Sequence, residues 1–329
     1  MTPYTQQGRW LLTTTSLLLV GCGNGNADQS WTDYHSQLAS NLSIAAIERD
    51  APPNIGAFPE RRQRLIDIPE TREGMLNIYA LRECNITSLV AARNNQLGRV
   101  APPSQHWLYE RTLWQRLNVC WNSDVPDGLS DDNKSRLAQL TELKTAQLPA
   151  VSWNAIFGSE EWEKSFSRAS SPLDSTELPA IDDHLAAVTY LEQMVLHQFS
   201  NDWQHDSATL ENHLKTLQER PLTAEVLRSV LLAHQRLTEA NEALASKLPD
   251  ATECLQDNFP TWLNNVEQVS QQWLTAINQF IDTHTVTPPI AVKNYQQTWL
   301  SMRNPQAPWQ QFQQVKAEHL ALRNQFKRC

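Results

Sequence analysis

The chain has 329 residues, 9 glycines against 18 prolines and a formal net charge of −9. That length accommodates one large domain or two lobes with a real core, and the balance of glycine and proline suits helices punctuated by proline. The acidity argues against nucleic acid and against an anionic membrane surface as partners held by charge.

The amino terminus carries the clearest signal. Arg9 is the only charged side chain before Cys22, and Trp10 to Val20 is a mostly apolar run of about eleven residues, the length of a secretory h-region. A spanning helix needs roughly 20 such residues, and no later segment comes close. Leu19-Val20-Gly21-Cys22 closes the run as a bacterial lipobox, with a small residue at the cleavage site and a thiol to carry diacylglycerol. Residues 1–21 are thus expected to be a lipoprotein signal peptide, 22–30 a lipidated tether of linker composition, and 31–329 a periplasmic helical domain with possible lobes at 31–121 and 130–329. Acyl chains on Cys22 contribute about 0.8 kcal/mol per buried CH₂, so this anchor would hold the protein on the bilayer permanently. Gly23, in place of an aspartate, resembles the sorting signal for the outer membrane of a Gram-negative cell.

Beyond the tether, a helix is expected from Trp31 to about Ile47, then an irregular proline-rich stretch from Ala51 to Pro59 and a short extended segment at Leu65 to Ile68. Asn85 to Leu97 reads as a helix stopped by Gly98, and Pro102-Pro103-Ser104 opens another that runs to about Cys120. Further helices are expected at about 130–147, 181–199, 207–219, 223–247, 260–282, 290–302 and 307–327. Heptad seams mark three of them: Phe259, Trp262, Val266, Val269, Trp273, Ala276 and Phe280; Leu227, Val230, His234, Leu237, Asn241, Leu244 and Leu248; and Phe312, Val315, His319, Leu322 and Phe326. Short connections between them predict an all-α, multi-helix up-down bundle with long C-terminal helices.

Four cysteines remain after Cys22, an even number in a compartment where disulfides persist. Three pairings are possible. Cys84 with Cys120 and Cys254 with Cys329 is favoured, because each pair lies in one lobe and joins adjacent predicted helices. There is no Cys-x-x-Cys, so neither a redox pair nor a zinc knuckle is indicated.

Charge is unevenly spread: residues 31–121 carry ten arginines, nine acidic residues and no lysine. An arginine-only basic set suits bidentate pairing with carboxylate or phosphate, in an anionic ligand or, more simply, in internal salt bridges or as composition drift. Arg93 and Arg99 flank a polar helix junction and are candidate binding residues. Trp107, Trp114 and Trp121 recur at intervals of seven, within about 40° of each other on a helical wheel, and form either a sugar-stacking groove or the margin of a core. His184, His197, His205 and His213 lie close in sequence but have no metal-ligand spacing, and Asp206-Ser207 reads as a helix N-cap. His234 and His319 at heptad positions read as hydrogen-bonded core histidines. Adjacent carboxylates such as Glu160-Glu161 diverge by about 100° on a helix and cannot share a substrate. No catalytic residue, metal ligand or cofactor is therefore expected.

RNNQLGRVAPPSQHWLYE (Arg93 to Glu110), together with the lipobox and the Cys84–Cys120 stretch, resembles a family of gammaproteobacterial lipoproteins, the domain of unknown function 3080. The resemblance spans most of the mature chain and implies an envelope location and a helical fold, without catalytic residues. The expected function is a non-catalytic scaffold or binding module for an envelope partner. The alternative is an envelope protein that binds or cleaves peptidoglycan through the tryptophan edge and a carboxylate such as Glu110.

Overall fold

A computed structural model describes residues 26–175, 178–248, 254–256 and 258–328. The expected signal peptide, the expected lipidation site Cys22 and the first residues of the expected tether lie outside them. The rest of the expected tether does not stay a linker: α1 (Asn26–Asn41) starts there and ends earlier than expected, with Ala27, Trp31, Tyr34 and Leu38 buried.

The fold is all-α. After α1 come three short helices, α2 (Arg61–Arg64), α3 (Met75–Ala80) and α4 (Thr87–Asn94), and the single turn α5 (Gln96–Arg99). The long elements follow: α6 (Pro103–Trp121), α7 (Asp131–Phe157), α9 (Asp182–Leu196), α10 (Ser207–Glu219), α11 (Leu222–Lys247), α12 (Thr261–Thr283) and α14 (Pro308–Arg323). Between them sit the short helices α8 (Glu160–Lys164) and α13 (Ile290–Tyr295), the latter continued by a wide turn to Leu300. Among the described residues, no helix is long and apolar enough to cross a membrane. Among the described residues, strand structure is confined to a parallel pairing of two residues each, β1 (Cys254–Leu255) with β2 (Lys327–Arg328).

Local chemistry explains most boundaries. Ser130 caps α7 by accepting from the Asn133 N–H, and Asp131 and Asp132 complement the dipole in its first turn. Asp206 caps α10 through the Thr209 N–H at 2.7 Å, as the sequence predicts. Besides α1, two further boundaries differ most from expectation. α7 does not stop near residue 147 but runs through Pro149 to Phe157, because Trp153, Ile156 and Phe157 are almost wholly buried beyond the proline. The lost hydrogen bond costs less than that apolar burial returns. The chain also breaks at Asn95 rather than at Gly98: Asn95 leaves the helix and caps α5 by accepting from the Gly98 N–H at 2.8 Å. Gly98 sits inside α5 with no room for a side chain, since a Cβ there would lie 2.4 Å from the Ala92 carbonyl oxygen.

Leu65 to Ile68 does not join a sheet. Asn154 on α7 holds it instead, accepting from the Ile66 N–H at 2.8 Å and donating to the Ile66 carbonyl at 2.7 Å. The heptad seams of α11 and α14 face each other, with Asn241 bonded to His319 across them at 2.6 Å. On α12 the buried stripe drifts off the strict heptad onto Leu263, Ser270, Trp273, Ile277 and Phe280, leaving Val269 and Ala276 half-buried. A straight helix turns away from a seven-residue repeat by about 20° per heptad.

Two cores result. The larger runs from α1 to the C-terminal segment and centres on Trp153, Phe157, Trp162 and Phe280, with Trp153 stacked on Phe157 at 3.7 Å. The smaller gathers Ile78, Leu81, Ile86, Leu113, Leu117, Leu137 and Leu140 around the Cys84–Cys120 disulfide. The start of α7 thus packs with residues of the first expected lobe, and α6 and α7 belong to both cores. Cys254 is also disulfide-bonded; the Cys329 end of its expected bridge lies outside the described residues.

Candidate functional site

The smaller core opens on one side into a cavity of about 880 Å³. Its walls are the irregular strap 68–74, α4 with the α5 turn, and the facing sides of α6 and α7. Its floor is aliphatic, built from Ile86, Val90, Leu113, Leu117 and Leu140.

Polar groups ring that floor. Lys144, 8% exposed, pairs with Glu110 across the α6–α7 interface at 2.9 Å. Gln147 donates to the Pro69 carbonyl at 2.8 Å and accepts from the Thr71 hydroxyl at 3.3 Å, which ties the strap to α7. Arg72 bonds Glu70 at 2.6 Å. Arg93 donates one N–H to the Gly98 carbonyl at 3.1 Å and lies over the Tyr109 ring at 5.9 Å. Burial, and then the neighbouring Glu110 carboxylate, push the Tyr109 phenol up to about 12, so it stays a neutral donor. Burial, and then Arg93, hold His106 below the usual histidine range.

Arg93 and Arg99, singled out in the sequence, thus come together on one cavity, half-buried and exposed respectively. Neither makes an ion pair among the described residues. Glu110 reaches the same cavity but is engaged by Lys144. Sequence reasoning missed Lys144, Gln147, Tyr109 and the strap. Helix positions 110 and 144 could be read, but their pairing across two helices has no sequence signal.

The tryptophan row is not a groove. Trp107 and Trp114 are buried in the larger core, where the Trp114 indole N–H donates to the Thr145 hydroxyl at 2.9 Å and its ring meets Phe199 edge-on at 5.1 Å. Only Trp121 is exposed, at 37%. The four histidines of the 184–213 stretch also separate: His184 meets Trp273 edge-on, His197 stacks on Trp203, and His213 stacks on Tyr190. His205 takes a hydrogen bond from Arg111 at 2.5 Å, while the same buried guanidinium donates to the carbonyls of Ser200 and Trp203, each at 2.9 Å. Arg111 thereby fastens the loop before α10 onto α6. Among the described residues, no group of three or more His, Cys, Asp or Glu could hold a metal ion.

One constellation has the form of a catalytic relay. Tyr34 donates to His319 Nε2 at 2.5 Å, and the other ring nitrogen of His319 donates to Asn241 Oδ1 at 2.6 Å. Arg323 donates to the Tyr34 hydroxyl at 3.1 Å. His319 is 0% exposed and Tyr34 3%, and burial drives the histidine down to about 3 and the tyrosine up to about 12. A tyrosine held neutral, next to a histidine held neutral and shut away from solvent, is a structural tie between α1, α11 and α14.

The model of the family described as protein of unknown function (DUF3080) matches residues 31–268, which include the whole cavity, and the chain belongs to that family. No curated protein and no solved structure matches it.

Proposed function

We propose that this chain is a non-catalytic, lipid-anchored binding module of the cell envelope. Acylated Cys22 holds it at the membrane, on the periplasmic side of the outer membrane in a Gram-negative cell, and the cavity carrying Arg93 and Arg99 receives an envelope partner. The observation that carries the reading is the pair of arginines left without carboxylate partners on a cavity with an aliphatic floor. Guanidiniums without a carboxylate partner keep free N–H donors beside the apolar floor, and an anion bound there would gain charge-assisted hydrogen bonds. The lipobox supports the location. The glycan reading loses its groove with the burial of Trp107 and Trp114, and no observation favours it.

Crosslinking in intact cells tests the proposal, comparing the wild-type chain with Cys22→Ser and with the Arg93→Ala, Arg99→Ala double variant. A specific neighbour captured by the wild type should disappear in both variants, while the melting temperature of the double variant stays within a degree or two of wild type. Capture unchanged by the double variant would remove the cavity from the proposal, and Cys22→Ser protein that still fractionates with membranes would remove the anchor.

A further inference from the structure

We infer that the occupant of this cavity is an anionic amphiphile: an apolar tail against the aliphatic floor, and a carboxylate or phosphate head on Arg93 and Arg99. The inference rests on the reading of the cavity as the binding site and gives that site its ligand chemistry.

Charge accounting points to the head group. Arg72 and Lys144 are neutralised by Glu70 and Glu110, and Glu73 is shared with Arg136 at 3.8 Å. What remains is the positive charge of Arg93 and Arg99. Arg93 spends one of its five N–H groups on Gly98. The others can fork onto two oxygens of one anion, and its plane is already held against Tyr109.

The floor points to the tail. Branched aliphatic side chains offer no flat slot for a nucleobase and no pair of indoles for a sugar, but they suit a methylene chain. A volume of about 880 Å³ falls in the range of roughly 300–1,000 Å³ typical of small-ligand pockets.

The same two short helices also carry exposed apolar side chains: Leu76 on α3 is 86% exposed and Leu97 on α5 79%, while Ile78 and Arg99 of those helices line the cavity.

Calorimetric titration of the full chain carrying Cys22→Ser, which has no acyl group of its own, tests this with three probes below their micellar concentrations: tetradecanoate, myristoyl lysophosphatidylglycerol and myristoyl lysophosphatidylcholine. One or both anionic probes should bind at least roughly tenfold more tightly than the zwitterionic one. Tetradecanoate alone would assign a carboxylate head, and the lysophosphatidylglycerol alone a phosphate. Arg93→Gln with Arg99→Gln should abolish the preference, and Arg99→Gln alone, which breaks no side-chain hydrogen bond and leaves folding untouched, should reduce it. Val90→Trp, which fills the floor, should weaken all three probes. No binding by any probe, affinity indifferent to head charge, or an anionic preference that survives both arginine variants would each overturn the inference. If the amphiphiles fail while the crosslinked neighbour still depends on Arg93 and Arg99, the ligand class falls and the binding module stands; loss of both effects removes both.

Discussion

His319 is held in the core with both ring nitrogens occupied, by Tyr34 and Asn241. His284 is enclosed by Trp153, Phe157 and Phe280 with Nδ1 bonded to the Phe280 carbonyl at 3.0 Å, while its Nε2 has no hydrogen-bond partner among the described residues. Burial, the largest cause for each, lowers His319 to about 3 and His284 to about 4. Both stay neutral in the folded state at pH values where the unfolded chain protonates them, so unfolding takes up protons between about pH 6.5 and those values. Their contribution to stability is complete above pH 6.5 and declines with acidification, each by about 1.4 kcal/mol per pH unit well below 6.5. Urea unfolding at pH 7 and pH 5 should show the loss, and His319→Gln should flatten the slope; a midpoint that does not move between the two pH values would refute it.

Within one element, α6 carries both fates of a regularly spaced aromatic. The seven-residue interval puts Trp107, Trp114 and Trp121 on nearly one side of the helix, but α6 leaves the larger core before its last turn, so Trp121 emerges. Trp107→Ala should cost about 3–5 kcal/mol, the price of a large core cavity, and Trp121→Ala less than about 1 kcal/mol. Denaturant midpoints of the two variants would show the contrast, and equal shifts would mean that the row shares one environment. Helices were legible wherever an apolar stripe and a cap agreed, as at Asp206 and Ser130. Local signals mislead where tertiary burial overrides a stop, at Pro149, or where a side chain caps ahead of the glycine, at Asn95.

Across the whole molecule, the smaller core and the cavity above it depend on the Cys84–Cys120 disulfide, which joins the turn before α4 to the end of α6 over 36 residues. Asn85, with a left-handed φ of 57°, turns the chain sharply just after the bridge, a conformation asparagine tolerates better than most residues. Replacing both cysteines by alanine should lower stability by about 4 kcal/mol on chain-entropy grounds. Because Ile78, Leu81 and Ile86 pack around the bridge, hydrogen exchange should rise first in residues 75–100, and uniform exchange across the molecule would sink that assignment.

Local patterns in the chain were enough to indicate an all-α bundle, to favour the Cys84–Cys120 pairing and to place Arg93 and Arg99 at a polar helix junction, because periodicity, spacing and charge are written along the backbone. The cavity was not legible in the same way. Its ion pair joins residue 110 to residue 144, its strap is held by Gln147, and the two arginines are left without carboxylate partners because neighbouring carboxylates turn to other cations. Burial of Trp107 and Trp114 was likewise settled by which helices close over them. Partnership and exposure are properties of packing between distant segments, and no residue encodes its own neighbour.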